Sequence, residues 1–294
     1  SDTYPPDVPN QGRKRGLISQ WWFYNMISRN NLKDKLLFFL HSTFTIANGQ
    51  AGASHYFYDH LRLLNHFSDG SIKDLAKKIT LDNAMLNYLD NTQNNANNPN
   101  ENYAREFLEL FTITKGEQIG EGDYTNYTED DVIQAARVFS GFKTQLDRSN
   151  IDPDTDIPIG RISVNQHDQG QKIFSHAFDN YVLEGGDDEE SILTELHEFV
   201  DMIFAKGATA KAYVEKLYRF FVKSEWTSED EINIIIPLSQ QLVSNNYNVL
   251  PVVKTILSSQ HFYDAGDNDP SDEIIGSIIK SPLQLISSCI RNLN

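Results

Sequence analysis

The sequence predicts an all-α protein of about ten helices, with a small β-hairpin inserted near residues 160–182. Two observations lead to this prediction. Apolar residues recur at helical spacing through most of the 294 residues, of which 39% are hydrophobic. Residues 143–186 interrupt that period and contain short extended runs instead. A chain of this length and apolar content can bury a substantial core.

The N-terminal half contains six helical segments. Residues 1–16 are polar and contain proline, so we expect an N-terminal arm before the first of them. Helices are expected over 16–28, 32–47, 55–67, 71–90, 99–112 and 128–142. Ser71 and Thr128 suit the capping position of their helices, because an acidic residue follows each of them three positions later. Asp82 is expected to split the fourth segment, and the asparagine-rich stretch 90–100 predicts a loop.

The C-terminal half begins with the irregular insert. Two short extended runs flank His167-Asp168-Gln169-Gly170 and predict the hairpin. Helices are expected again over 188–205, 208–223, 228–244, 248–259 and 274–293. We therefore expect one helical domain over 17–294, with possible layers 17–142 and 187–294 on either side of the insert 143–186.

One helix combines many charges with many aromatic residues, in the stretch NPNENYAREFLELFT at 98–112. With about 100° between successive residues of an α-helix, its apolar and polar residues separate onto two faces. The apolar face holds Tyr103, Ala104, Phe107, Leu108, Leu110 and Phe111, and the polar face holds Glu101, Asn102, Arg105, Glu106 and Glu109. We expect this helix to lie at the centre of the fold, packed by 17–46 and 128–142.

The charge and the composition of the chain argue against several classes of function. The formal net charge is −16 and the sequence pI is about 4.8, so we expect no binding to nucleic acid. No run of about 20 apolar residues is present, which argues against membrane insertion. The single cysteine, Cys289, allows no internal disulfide. The N-terminal arm lacks the apolar core of a signal peptide.

Several stretches of the chain resemble one bacterial family, which is catalogued as domain of unknown function 1800. These stretches are NPNENYAREFLELFT (98–112), YTEDDVIQAARVFSGF (127–142), AMLNYLDNTQN (84–94), HDQGQK (167–172) and KSPLQLISSCIRNL (280–293). Weaker similarity extends back to residue 19. The resemblance implies that this chain corresponds to the central part of a mainly helical protein, exported or associated with the bacterial cell envelope. It implies no particular reaction.

The chain departs from the family at one potentially functional position. The family's usual tryptophan–histidine–x–histidine pattern stands here as Leu40-His41-Ser42-Thr43, so only His41 is retained. A histidine after an apolar run can serve as a base or a ligand, and it can equally be a packed side chain that bonds a backbone carbonyl. His167 and Asp168 could form a pair in which the carboxylate orients a catalytic imidazole, and the alternative is a turn capped by Asp168 with Gly170.

The polar face of the 99–112 helix is the main candidate site. The acidic residues Glu106 and Glu109 lie one turn apart, which suits metal binding or acid–base catalysis when a histidine such as His41 or His167 is near. Glu101, Arg105 and Glu109 form an i, i+4, i+8 row, so a structural network of ion pairs is the alternative. The family resemblance adds weight to a special role for this stretch without separating the two.

Two acidic loops are candidate cation sites. Asp152, Asp154 and Asp156 supply oxygen ligands at alternate positions, which suits calcium, although Ile157 replaces the glycine of an EF-hand loop. The stretch 264–273 is similarly acidic. The cofactor is therefore unknown, with calcium or another divalent cation as the candidate, and solvated acidic loops are the alternative.

Two functional hypotheses follow. The first is an envelope scaffold or binding module, with a protein or polysaccharide partner and with Glu101, Arg105 and Glu106 paired with one another. The second is a hydrolase-like enzyme, acting on an envelope or environmental polymer, in which a carboxylate and a histidine meet in an open pocket. We favour the first, because the sequence contains no specific catalytic motif.

Overall fold

The computed structural model describes residues 10–29, 31–47, 49–263, 278 and 280–293, and these residues are mainly helical, as predicted. The helices are α1 (Gln11–Ser28), α2 (Leu32–Thr43), α3 (Ser54–Phe67), α4 (Ile72–Ile79), α5 (Asn83–Tyr88), α6 (Asn102–Glu106), α7 (Glu129–Val138), α8 (Glu189–Phe204), α9 (Gly207–Phe221), α10 (Ser228–Asp230), α11 (Ile236–Ser244), α12 (Val249–Ser258), α13 (Gln260–Tyr263) and α14 (Pro282–Leu293). Two π-helical segments, Phe107–Phe111 and Glu231–Ile235, directly continue α6 and α10.

Short strands lie between α6 and α8 and form small antiparallel pairs. They are β1 (Gln118–Gly120), β2 (Asp123–Tyr124), β3 (Phe142–Lys143), β4 (Ile151–Asp152), β5 (Ile157–Pro158), β6 (Arg161–Ile162), β7 (Lys172–Ile173) and β8 (Val182–Leu183). The pairs are β1–β2, β3–β6, β4–β5 and β7–β8. The hairpin expected in this region is present as β7–β8, but the extended run before His167 pairs with β3 and not with the run after it.

Capping side chains set several helix boundaries. Thr128 and Asp131 form the expected reciprocal capping box of α7, and Ser71 accepts a hydrogen bond from the backbone N–H of Asp74. Asp82 caps α5 through the Met85 N–H, which ends the preceding helix where the sequence indicated. Asn10 caps α1, so this helix begins before the expected end of the polar arm; residues 1–9 and 274–277 lie outside the described residues.

The core around the π-helical segment is largely aromatic. Tyr103, Phe107, Phe111, Phe139 and Phe199 are each at most 2% exposed. Their ring centroids lie 4.7 Å apart for Tyr103–Phe139 and 5.3 Å apart for Phe139–Phe199. Edge and tilted contacts of this kind add to the stabilisation from apolar burial. The 99–112 segment thus packs against the 128–142 segment as expected, and also against α8.

Leu110 departs from the expected pattern, since its side chain is 52% exposed. The reason is the π-helical turn, in which hydrogen bonds span five residues and the angle between successive residues is smaller than in an α-helix. Leu110 is therefore rotated away from the buried face. Helices α9, α11 and α12 pack against one another, and the division of the fold into two layers stays a prediction.

Among the described residues, no helix combines the length and the apolar character that crossing a bilayer requires.

Candidate functional site

The asparagine-rich loop before α6 is built by its own side chains. Asn94 Nδ2 donates to the Ala136 carbonyl at 2.8 Å, and Asn94 Oδ1 accepts from the Asn100 N–H at 3.0 Å. Asn102 Nδ2 donates to the Leu89 carbonyl at 3.1 Å. These bonds join the end of α5, the start of α6 and the C-terminal turn of α7. The stretches 84–94, 98–112, 127–142, 167–172 and 280–293, which resemble the family, are called the signature stretches below. The asparagines of the first two therefore have a positioning role.

Arg105 is the centre of a charged network on the outer face of α6. Its guanidinium lies 2.8 Å from Glu129 Oε2 on α7 and 3.2 Å from Glu101 Oε2. Glu109 Oε1 is more distant, at 3.9 Å. The hydrogen bond from Arg105 lowers the pKa of Glu129. The row of charges on α6 is thus extended by a residue from the neighbouring helix.

Glu109 has two further partners. Lys115 Nζ lies 3.1 Å from its Oε1, and the hydroxyl of Tyr127 donates to the same oxygen at 2.7 Å. Tyr127 itself is fully buried. Glu109 therefore joins the end of the π-helical segment to the strand region before α7. A carboxylate held in this way has little freedom to act as a catalytic base.

Glu106 occupies a different position on the same face. It is partly buried, and its pKa is raised by burial and by the neighbouring Glu109. Among the described residues, no hydrogen bond or ion pair joins Glu106 or Glu109 to His41 or His167. The structure does not bring the four predicted catalytic residues together.

His167 lies in a closed network and not at an open pocket. Its side chain is fully buried, with Nδ1 at 2.8 Å from the Ser140 carbonyl and Nε2 at 2.9 Å from Glu195 Oε2. The buried ammonium of Lys172 lies 2.6 Å from Glu195 Oε1. The N–H of Gly186 donates to Glu195 Oε2 at 2.7 Å. Both oxygens of this buried carboxylate are therefore in contact with donors or cations.

The position of one proton in this network follows from its geometry. A carbonyl oxygen only accepts, so Nδ1 of His167 must carry a hydrogen that it donates to Ser140. The contact between Nε2 and Glu195 then needs a second proton, either on the imidazole or on the carboxyl group. Burial lowers the pKa of Lys172, and Glu195 opposes this shift.

The same stretch is tied to α7 by a second pair. Arg137 holds Asp168 with two hydrogen bonds, of 2.9 and 3.0 Å. Lys172 also donates to the Asp168 carbonyl. Three residues of HDQGQK thus bind α7, α8 and the turn after α7, which explains this stretch in structural terms.

A buried histidine that the sequence did not single out lies beside His41. His60 is 0% exposed, and its Nδ1 lies 2.8 Å from Asp82 Oδ2. Its Nε2 has no hydrogen-bond partner among the residues that the structure describes. The His41 ring lies 5.8 Å from the His60 ring and is stacked on Trp22 at 4.7 Å. Burial, with a smaller effect of His60, lowers the pKa of His41 to about 4.

The aspartates of the β4–β5 hairpin are paired with a lysine. Lys78 Nζ lies 2.5 Å from Asp152 Oδ1 and 2.6 Å from Asp154 Oδ2. The other oxygen of Asp152 accepts from the N–H and hydroxyl of Thr155, and Asp156 is exposed. An ammonium group thus lies where the sequence suggested a calcium ion. Calcium binding here stays a prediction, and the acidic stretch 264–273 lies outside the described residues.

Among the residues that the structure describes, no three histidine, cysteine or carboxylate side chains are arranged to hold a metal ion. The contacts that sequence reasoning missed are long-range ones: His60–Asp82, His167–Glu195 and Asp59–Arg148. One signal in the sequence indicated the first of these, the position of His60 within an apolar helical stretch.

The chain matches a family model described as "Protein of unknown function (DUF1800)" over residues 7–294. No curated protein and no solved structure matches it.

Proposed function

Because the chain belongs to the DUF1800 family of proteins of unknown function, we propose that it is a non-catalytic helical scaffold or binding module of the bacterial cell envelope. One observation supports the scaffold role above all others. The charged residues of the signature stretches bind one another across elements that are distant in the chain. They hold helices together and leave few of their groups available for a reaction.

Two charged networks support the proposal, one at the surface around Arg105 and one in the interior around Glu195. Arg105, Glu109 and Glu129 lie at the surface, where such pairs contribute little stability individually but fix the relative position of α6 and α7. Glu195 and Lys172 are buried, and a buried charge is retained only if its partner is present. A rigid frame of this kind suits a protein that presents its surface to a partner.

The envelope location rests on the family resemblance. The acidic surface is compatible with it, because a net charge of −16 keeps a protein soluble and away from anionic lipids. A cell-fractionation experiment on the tagged full-length protein in its own host tests this part, with a cytosolic enzyme as the marker. We expect the protein with the envelope or periplasmic fraction. Recovery with the cytosolic marker would contradict this part of the proposal.

One observation favours the alternative, a hydrolase-like enzyme. Asp82 orients His60, whose Nε2 has no partner within the described ranges, an arrangement that catalytic histidines also use. His60 is closed off from solvent, however. The enzyme alternative therefore needs a movement of α1 or α2 that exposes His60 and His41 to a substrate.

Substitution of Glu106, combined with elemental analysis of the purified protein, separates the two functions. For a scaffold we expect Glu106→Gln to keep the unfolding temperature and the metal content of the wild type, because Gln replaces a carboxylate whose charged form is disfavoured by burial. Glu121→Gln, at an exposed turn, is the matched control. A stoichiometric transition metal that is lost in Glu106→Gln, and retained in the control, would establish the enzyme alternative instead.

A further inference from the structure

A cavity of about 190 Å³ lies between α9, α11 and α12, and α13 closes one side of it. Its walls are mainly apolar and include Val222, Pro237, Leu238 and Ile256. An engineered apolar cavity of roughly 150 Å³ holds one benzene molecule. The cavity is therefore large enough for a six-membered ring with one or two further atoms.

Two hydrogen-bonded side chains line this cavity. Tyr218 is fully buried, and its hydroxyl lies 2.6 Å from Nε2 of His261. The two rings are stacked, with centroids 5.8 Å apart. Burial lowers the pKa of His261, so the imidazole is neutral near neutral pH. When the Tyr218 hydroxyl donates to Nε2, the tyrosine oxygen keeps a lone pair that can accept from a bound molecule.

The helix that forms another wall is locally irregular. Asn233 and Ile234 belong to the π-helical segment, and Pro237 follows it. A proline has no N–H, so one carbonyl of the preceding turn lacks its usual helical donor. π-Helical turns are frequent where a helix contributes to a binding site. The irregular π-helical segment thus forms one wall of the cavity.

The charges around the cavity select against ionic ligands. Its lining, as far as the described part of the chain forms it, includes no lysine, arginine, aspartate or glutamate. Asp230 and Lys223 both act on His261 electrostatically, but they are paired with each other at 3.0 Å, so neither is a free counter-ion and burying an anion here is unfavourable. Burying a cation in an apolar cavity without a paired carboxylate is equally unfavourable.

We propose that this cavity is a binding site for a small uncharged ring compound with one hydroxyl group, which hydrogen-bonds the Tyr218–His261 pair. The ring fills the apolar part, and the hydroxyl satisfies the polar part. This inference goes beyond the scaffold role and does not depend on it, since the cavity lies apart from the networks around Arg105 and Glu195.

Calorimetric titration with phenol, benzene and benzoate tests the proposal. We expect phenol to bind with a dissociation constant in the millimolar range or below, and benzoate to bind at least tenfold more weakly because it is charged. In Tyr218→Phe we expect phenol affinity to fall at least fivefold while benzene affinity stays the same. Tyr213→Phe, which removes a buried hydroxyl from the same helix outside the cavity, is the matched control and should bind phenol as the wild type does.

A measurement on the wild-type protein covers the case in which Tyr218→Phe does not fold. In a methyl NMR spectrum, phenol should shift the signals of Val222, Leu238 and Ile256 and leave that of Leu61 in α3 unchanged. The proposal is overturned if millimolar phenol shifts none of these cavity signals, or if benzoate binds as tightly as phenol. Equal phenol affinity in Tyr218→Phe and wild type would also contradict it.

Discussion

At the scale of single residues, the histidines show how different buried surroundings give identical side chains different hydrogen-bond and packing partners. His41 is packed between Trp22 and His60, His60 is bonded to Asp82, and His167 is bonded on both nitrogens. The sequence indicated His41 and His167 because of their neighbours, but it gave no information on these partners. Each partner lies far away in the chain or on another helix.

The lowered pKa of His41 gives a prediction for stability against pH. The unfolded chain takes up a proton at this histidine near pH 6.5, whereas the folded protein resists it until about pH 4. Stability is therefore fully present above pH 6.5 and falls as the pH decreases towards 4. The slope is at most about 1.4 kcal/mol per pH unit for one proton.

Urea unfolding of wild type and His41→Phe over this pH range measures the effect. We expect the variant to lose less stability than the wild type as the pH falls. His55, His197 and His261 also have lowered pKa values and contribute equally in both proteins, so the difference isolates His41. Parallel curves for the two proteins would show that His41 titrates normally.

Patterns between residues close in the sequence predicted many helix boundaries. Contacts between residues distant in the sequence could not be predicted in this way. Thr128, Ser71 and Asp82 act through bonds to residues three positions away, so the pattern is visible in the sequence. Asp59 and Arg148, by contrast, are 89 positions apart. No spacing rule connects such residues, and only the folded chain brings them together.

At the scale of elements, the helix over 102–111 determines how the surrounding segments pack. Its apolar face was predicted correctly at Phe107 and Phe111, which are almost fully buried. The π-helical turn was not predicted, because hydrogen bonds that span one residue more than in an α-helix have no clear signal in the sequence. Leu110 is exposed as a result. The backbone carbonyl of Leu110 accepts a hydrogen bond from the ammonium group of Lys216 on α9.

The turn after α7 gives an element-scale prediction. Gly141 has φ of +81°, and a Cβ there would lie 2.9 Å from both the His167 nitrogen and the Ser163 carbonyl oxygen. We expect Gly141→Ala to destabilise the fold by more than about 1 kcal/mol, because strain and a steric clash add. Thermal and urea unfolding measure this loss.

Gly16, inside α1, is the matched control for this substitution. A Cβ at Gly16 meets no atom within 4 Å. Gly16→Ala should therefore stabilise the protein by up to about 1 kcal/mol through helix propensity. Equal effects of both substitutions, in size and direction, would show that the turn at Gly141 is not constrained as described.

At the scale of the whole molecule, the fold class was predictable and the arrangement of its charged groups was not. Helical periodicity and composition determine that most of the chain is helical. The small strands pair over distances that periodicity does not encode, so β3 and β6 were missed as partners. The candidate site was predictable only as a set of residues, since their contacts depend on α7 and α8.

The central claim is that charged residues of the signature stretches act as structural ties between distant elements. The buried pair Lys172–Glu195 is its clearest case, with 2.6 Å between Nζ and Oε1. Removal of Glu195 leaves the buried ammonium of Lys172 without its carboxylate, and removal of Lys172 leaves Glu195 with His167 as its remaining ionisable partner. Breaking a buried pair in this way typically costs about 3–5 kcal/mol. Removal of both avoids that penalty.

A double-mutant cycle with Lys172→Met and Glu195→Gln, followed by urea unfolding, tests this claim most directly. We expect each single variant to lose several kcal/mol and the double variant to lose clearly less than the sum of the two. Lys206→Met, which removes the partner of the exposed Asp179, is the control and should have little effect. Single variants as stable as the wild type, with no coupling between them, would contradict the account.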